Sequence, residues 1–320
     1  MAKNSKLNIG GQAVIEGVMM KSPNYVSVAV RKPNKKITLE EIKYKSITEK
    51  LKFLKWPFFR GVVMLFEMLV LGIKALTFSA NEALDDDETE EKEELSKFSI
   101  FLTISLSLLF AVGLFVVIPY VLTVFIGFHE EKSSILFNLI DGLIKLGIFV
   151  LYVWAIGLMS DIKRVFQYHG AEHMAVNCYE KGKKLTVKNC QKYSTLNPRC
   201  GTSFLLFVIF LGIIVFSFVP VIITAIWPGV MDIGTVWRKL IFLATRLIFL
   251  LPLAATSYEF LKLTAKFCGN WLVKILMQPG LWVQKITTRE PTDDMLEVAI
   301  KAIEDVLEKE KKSGKEVTFT

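Results

Sequence analysis

The sequence predicts a mainly α-helical membrane protein: a four-helix transmembrane bundle of two helical hairpins, with interfacial helices and a small cytosolic α+β part. Three observations predict it. Of 320 residues, 52% are hydrophobic, and the mean hydropathy of +0.43 exceeds what a soluble core of this size requires. The apolar residues fall in long blocks instead of at the period of an amphipathic helix or strand. Lys and Arg cluster beside those blocks, as they do at the edges of membrane spans.

Residues 1–55 read as a cytosolic, β-rich segment. Met1–Lys6 is basic but precedes no apolar run, so neither a cleaved signal nor a myristoylation site is expected. Between Gln12 and Tyr44, alternating Val26, Val28 and Val30 lie between the turn signals Ser22-Pro23-Asn24 and Pro33-Asn34, which suggests a small meander. Residues 56–80 are apolar enough to be a span. Crossing there would put the basic region before it and the basic central segment on opposite sides, against the charge rule. Arg60, Glu67 and Lys74 also share one helical face. This stretch is therefore read as an interfacial or re-entrant helix. Residues 81–97 contain the acidic run Asp85–Glu94, a solvated linker.

Four blocks of about 20 residues or more can cross the hydrocarbon core: Phe98–Phe128, Ile135–Met159, Ser203–Trp227 and Leu240–Leu263. The tight turns His129–Ser134 and Pro228–Lys239 pair them into hairpins over residues 98–159 and 203–263. The segment between, residues 160–202, carries Lys163, Arg164, Lys181, Lys183, Lys184, Lys188, Lys192 and Arg199. That excess places it and both termini in the cytosol. Residues 264–290 include Trp271–Val283, too short to span, broken by Pro279-Gly280, and ending in tryptophans suited to headgroups. In residues 291–320, Thr292 caps an amphipathic cytosolic helix with Leu296, Ala299, Ile300, Ile303, Val306 and Leu307 on one face. That face covers either the protein's own cytosolic domain or a partner.

The net charge of +8 fits anionic lipid headgroups, the partner the apolar blocks imply, and no specific nucleic-acid recognition is expected. Cys178, Cys190, Cys200 and Cys268 have no zinc-ribbon spacing and read as reduced thiols.

The clearest chemical signal is His169-Gly170-Ala171-Glu172-His173. Histidines four apart share a helical face and can hold one metal ion, with zinc expected, and Glu172 beside the second can activate water as general base. The alternative is an interfacial helix whose histidines bond carboxylates or headgroups. A catalytic site needs a third ligand. Glu259, near the cytosolic end of the last span, is the first choice, and Cys200 the second. Asp141, Lys145 and Arg246 within spans are assigned structural roles, the first two as a pair four residues apart. The run Gly10–Met20 is neither a phosphate loop nor a dinucleotide fingerprint. Its glycines suit a tight turn or a close contact, and Glu16 is a further candidate.

The segments Gly10–Met20, His169–His173 and Pro198–Phe204, with the layout of apolar blocks, resemble the YqhQ-like family of bacterial membrane proteins. The resemblance covers nearly the whole chain and implies a multi-pass protein of the bacterial plasma membrane. Members are labelled predicted metal-dependent enzymes on the HxxEH pattern, which implies His169, Glu172 and His173 as the site. Where the family pattern often has a histidine before Pro-Arg-Cys-Gly-Thr-Ser, this chain has Asn197, a poorer zinc ligand.

Two functions are consistent with these features. One is a zinc-dependent hydrolase at the cytosolic membrane face. The other is a non-enzymatic accessory protein that docks a ribosome or the protein-translocation machinery through its basic surface and C-terminal helix. A transporter is disfavoured, because the spans lack paired broken helices or an internal repeat.

Overall fold

A computed structural model of the chain describes residues 7–84, 97–130, 132–267 and 270–313. Met1–Lys6, the acidic run Asp85–Glu94 and Cys268 lie outside the described residues.

The expected meander is present as β1 (Gly10–Val14), β2 (Gly17–Lys21), β3 (Tyr25–Arg31) and β4 (Ile37–Lys43), antiparallel in the order β1-β2-β3-β4. Val26, Val28 and Val30 point to one side of β3 and Ser27 and Ala29 to the other, and all five are almost fully buried. A strand apolar on both sides needs helices on both faces of its sheet.

After one turn of helix, α1 (Ile47–Lys50), the long α2 (Phe59–Leu84) supplies the first cover. Its Leu71 and Ala75 join Val14, Met19, Val26, Val28 and Val30 in one apolar cluster. Polar ties extend along the same contact. The Ile15 N–H donates to Ser79 Oγ at 3.2 Å, and Lys32 pairs with Glu82 at 3.1 Å. Glu67 accepts from the Ile47 N–H at 2.7 Å and the Ser46 hydroxyl at 3.0 Å, which ties down the chain after β4.

The remaining helices are α3 (Lys97–Val112), a π-helical turn (Gly113–Val117), α4 (Ile118–Phe125), α5 (Ser134–Ile156), α6 (Ser160–Glu180), α7 (Val187–Cys190), α8 (Gly201–Ile226), α9 (Thr235–Lys266), α10 (Trp271–Thr287) and α11 (Asp293–Lys312). The second sheet cover is α6 with α11. Val18, Met20 and Ala29 pack on Ala171, Met174 and Ala175 of α6 and on Leu296, Ala299, Ile303 and Leu307 of α11. The amphipathic face of α11 thus covers the protein's own sheet. Its buried Glu310 carboxylate accepts from Ser22 Oγ at 2.9 Å and the Asn24 N–H at 2.8 Å.

Among the described residues, five helices are long and apolar enough to cross a membrane: Phe59–Leu84, Phe101–Phe125, Ser134–Ile156, Gly201–Ile226 and Thr235–Thr264. By length and composition α2 therefore belongs with the four expected spans. The expected break at Pro279-Gly280 does not occur. Helix α10 runs through it, and Gly280 lets the backbone press on α8, since a Cβ there would stand 2.5 Å from Ser203 Oγ.

Arg246 of α9 is 1% exposed. It donates to Glu130 Oε1 at 2.5 Å, Asn138 Oδ1 at 2.6 Å and Asp141 Oδ2 at 3.3 Å, and Asp141 also holds Lys145 at 2.5 Å. The Asp141–Lys145 pair was legible from spacing, whereas Glu130, in the turn before α5, was not recognised as a partner. Two cations and two anions balance, as charges in a low-dielectric interior must. Replacing Arg246 with Leu leaves both carboxylates without their shared cation, and the detergent-solubilised protein should lose about 3–5 kcal/mol of stability. Thermal unfolding unchanged from wild type would refute this account of the cluster.

Candidate metal centre

Helix α6 is pressed against the segment after α10. A Cβ at Gly170 would lie 2.0 Å from the Arg289 carbonyl oxygen, so only glycine permits the approach. This closeness sets both histidines against backbone carbonyls. His169 Nδ1 is 2.9 Å from the Thr287 oxygen, and His173 Nδ1 is 2.5 Å from the Thr195 oxygen. A carbonyl only accepts, so each Nδ1 carries the proton and each Nε2 keeps its lone pair.

The free nitrogens then face other electron-rich atoms. His169 Nε2 lies 3.2 Å from Cys200 Sγ, and His173 Nε2 lies 3.3 Å from Glu172 Oε2. One donor atom from each of His169, His173 and Cys200 falls within 4.8 Å of the others. Two imidazole nitrogens and a sulfur are a donor set that suits zinc. Cys200 caps α8, with Sγ accepting from the Thr202 N–H at 3.5 Å and the Thr202 hydroxyl at 3.3 Å.

Glu172 is 5% exposed and is positioned by the N-terminal glycines. A Cβ at Gly11 would stand 2.8 Å from Glu172 Cγ and 2.7 Å from the Met19 carbonyl oxygen. The Gly-Gly run and the HxxEH helix, distant in sequence, thus meet at the candidate base.

Glu259, the first choice for third ligand, is not brought to this group. It is gripped by Arg60, whose Nε donates to Oε1 at 2.6 Å and whose Nη2 bonds Oε2. Sequence position could not reveal a facing arginine from α2, and Cys200 stands in the group instead. Glu16 sits in the β1–β2 turn with a left-handed φ of 49° and pairs with Arg164, outside the histidine cluster. Asn197 has a scaffolding role. Its N–H donates to Gln284 Oε1 at 2.9 Å, its carbonyl accepts from Gln284 Nε2 at 2.8 Å, and its side chain accepts from the Arg199 N–H at 2.9 Å. Gln284, Thr195 and Thr287 were not picked out from sequence. A fully buried glutamine in the apolar α10 was the available signal for the first, whereas backbone carbonyls leave none.

The centre opens into a cavity of about 700 Å³ bordered by Glu172, His173 and Cys200, with Met64, Met68 and Tyr258 across it. Burial disfavours a charged His173, but the neighbouring Glu172 carboxylate and Cys200 sulfur outweigh it and raise its pKa above the ordinary value of about 6.5. A protonated ring cannot ligate, so protons compete with any transition metal for His173. Metal content should therefore fall on acidification, at a lower pH when more free zinc is present. Metal content measured across pH 5 to 9 at two zinc concentrations checks this; a loss profile that does not move with zinc would contradict it.

Residues 56–309 match the family model described as "Protein of unknown function (DUF1385)". The chain is 35% identical over 307 residues to "Uncharacterized protein YqhQ" of Bacillus subtilis (strain 168), covering 93% of this chain and 92% of that protein. No solved structure matches. The family model runs from just before α2 to near the end of α11, and the likeness to YqhQ extends over almost all of both proteins, so the chain belongs to the DUF1385, YqhQ-like family.

Proposed function

We propose that this protein is a metal-dependent hydrolase of the bacterial plasma membrane, acting at the cytosolic face, with His169, His173 and Cys200 holding a zinc ion and Glu172 as general base. The observation that carries the reading is the convergence of three ligand atoms within 4.8 Å beside a buried carboxylate. A zinc ion on three protein ligands supplies a Lewis acid, an open position and a water of near-neutral pKa. The carbonyls of Thr195 and Thr287 orient the imidazoles. Glu172, held against Gly11, takes the proton of the attacking water and returns it to the leaving group.

In this reading four helices cross and α2 does not. Hydrocarbon cannot accommodate a sheet edge, so the sheet and the half of α2 packed on it, from Met68 to Glu82, lie outside the bilayer core. Phe59–Glu67, roughly 14 Å of helix, is too short to span. The lysines and arginines of residues 160–202 then mark the cytosolic side. The accessory role has less support, because the apolar face of α11 is occupied by the sheet and a ribosome or translocation partner would meet only its charged outer face.

Metal analysis of the detergent-purified protein should find about one zinc per chain. Cys200→Ser should weaken it, and His169→Ala/His173→Ala should abolish it; equal metal in wild type and the double variant would end the metal reading. Glu172→Gln should keep the metal and the fold but fail to complement a deletion strain, since an amide accepts no proton. Full complementation by a stably inserted variant would remove the hydrolase reading.

For topology, a cysteine placed at Ser133 or Thr235 should react with an impermeant thiol reagent from outside intact cells, and one at Ala83 should not. Outside labelling at Ala83 would show that α2 crosses.

A further inference from the structure

The cavity at the candidate metal centre has a charge character that the hydrolase reading leaves unexplained. Four cationic side chains border it, Lys21, Arg199, Lys262 and Lys266, against the single carboxylate of Glu172. They come from three parts of the fold. Lys21 ends β2, Arg199 precedes α8, and Lys262 and Lys266 occupy consecutive turns at the cytosolic end of α9. Arg199 is paired with Glu180, and Glu67 and Glu310 act on Lys21, whose pKa burial nonetheless lowers. The two lysines of α9 are exposed; Lys266 Nζ lies 5.4 Å from the Phe267 ring centroid, Lys262 acts on Glu259, and both border the cavity.

The cavity also has the form of an anion cradle. Gly10 and Gly201 both border it, and each has nothing within 4 Å of where a Cβ would stand, so their backbones face open space. Gly201 is the first residue of the 26-residue α8, whose N-terminus carries the positive end of the helix dipole. Met64, Met68 and Tyr258 supply an apolar wall at the depth where α9 leaves the membrane. Positive charge, open backbone and an apolar wall at the headgroup level match a phosphate group attached to an acyl chain, with the phosphate toward Lys262 and Lys266 and the chain toward the bilayer.

We infer that this cavity binds the phosphomonoester headgroup of a lipid. That such a lipid is the substrate rests on the hydrolase reading; the binding itself does not.

The test uses the full chain in phosphatidylcholine nanodiscs doped with dioleoyl phosphatidic acid, with lipid retained by the protein counted by native mass spectrometry. Wild type should retain phosphatidic acid in preference to phosphatidylcholine. Lys262→Gln/Lys266→Gln should lower that retention about tenfold or more, given roughly a factor of five per lysine near a lipid phosphate. Lys52→Gln/Lys55→Gln, a basic pair that does not border the cavity, should leave it unchanged. Melting temperatures confirm that each variant is folded. Equal retention of the two lipids, or equal loss from both lysine pairs, would overturn the inference. Inorganic phosphate added alone should compete only weakly; binding as tight as that of the lipid would assign the cavity to a soluble phosphate and overturn the lipid source. His169→Ala/His173→Ala separates the two readings, because it should lose metal yet keep lysine-dependent phosphatidic acid. If zinc is never found and that dependence persists, the metal reading fails and the lipid site stands.

Discussion

The small sheet is apolar on both faces, and the architecture around it follows from the need to cover it. One face takes α2, a helix whose composition would suit a membrane equally well. The other takes α6 and α11 together. Once α6 is fixed as a cover, its opposite side is fixed too, and that side carries His169, Glu172 and His173. The catalytic candidates are thus the outward half of a helix whose inward half closes a hydrophobic core. A polar network alone would hold them less firmly, since apolar burial contributes about 1.5–3 kcal/mol for each full side chain.

Much of this was legible in the sequence, in proportion to how local the signal was. The valine alternation in β3, the long apolar blocks, the Asp141–Lys145 spacing and the amphipathic pattern of α11 each report a neighbour a few residues away, and each found its element, although Thr292 at the start of α11 makes no side-chain cap bond. What could not be read was contact between distant segments. Nothing near Glu259 in the chain announces that Arg60 faces it, and nothing near Glu130 announces Arg246. The purpose of Gly11 was open for the same reason. A glycine advertises a close approach, but only the fold says that the approaching group is Glu172. The unbroken course of α10 through Pro279 is a further case, because packing on α8 outweighs the local preference for a break.

Two polar clusters in the molecule make an instructive contrast. Around Arg246 the formal charges cancel, and the bonds to Asn138 and Asp141 lock α5 to α9 within an apolar bundle, although Arg246 Nε and Asp141 Oδ1 make no hydrogen bond of their own. Around His169 and His173 the convergent atoms are two imidazole nitrogens, each ring holding its Nδ1 against a carbonyl, and a cysteine sulfur. The first arrangement is balanced in charge by its own side chains, and the second is a donor set of the kind that suits a metal ion. Side chains of similar polarity thus take opposite roles, decided by whether their neighbours complement or duplicate them.

The segments that surround the histidines also impose an order on how the protein can be made. Gly11 emerges from the ribosome early, the HxxEH helix and Cys200 follow α3 to α5, and Thr287 and Arg289, which face His169 and abut Gly170, come only at and after the end of α10. A nascent chain stalled between Lys266 and Thr287 therefore holds α2 to α9 but lacks the carbonyl that faces His169 Nδ1. The histidine cluster can take its arrangement only once α10 has been made.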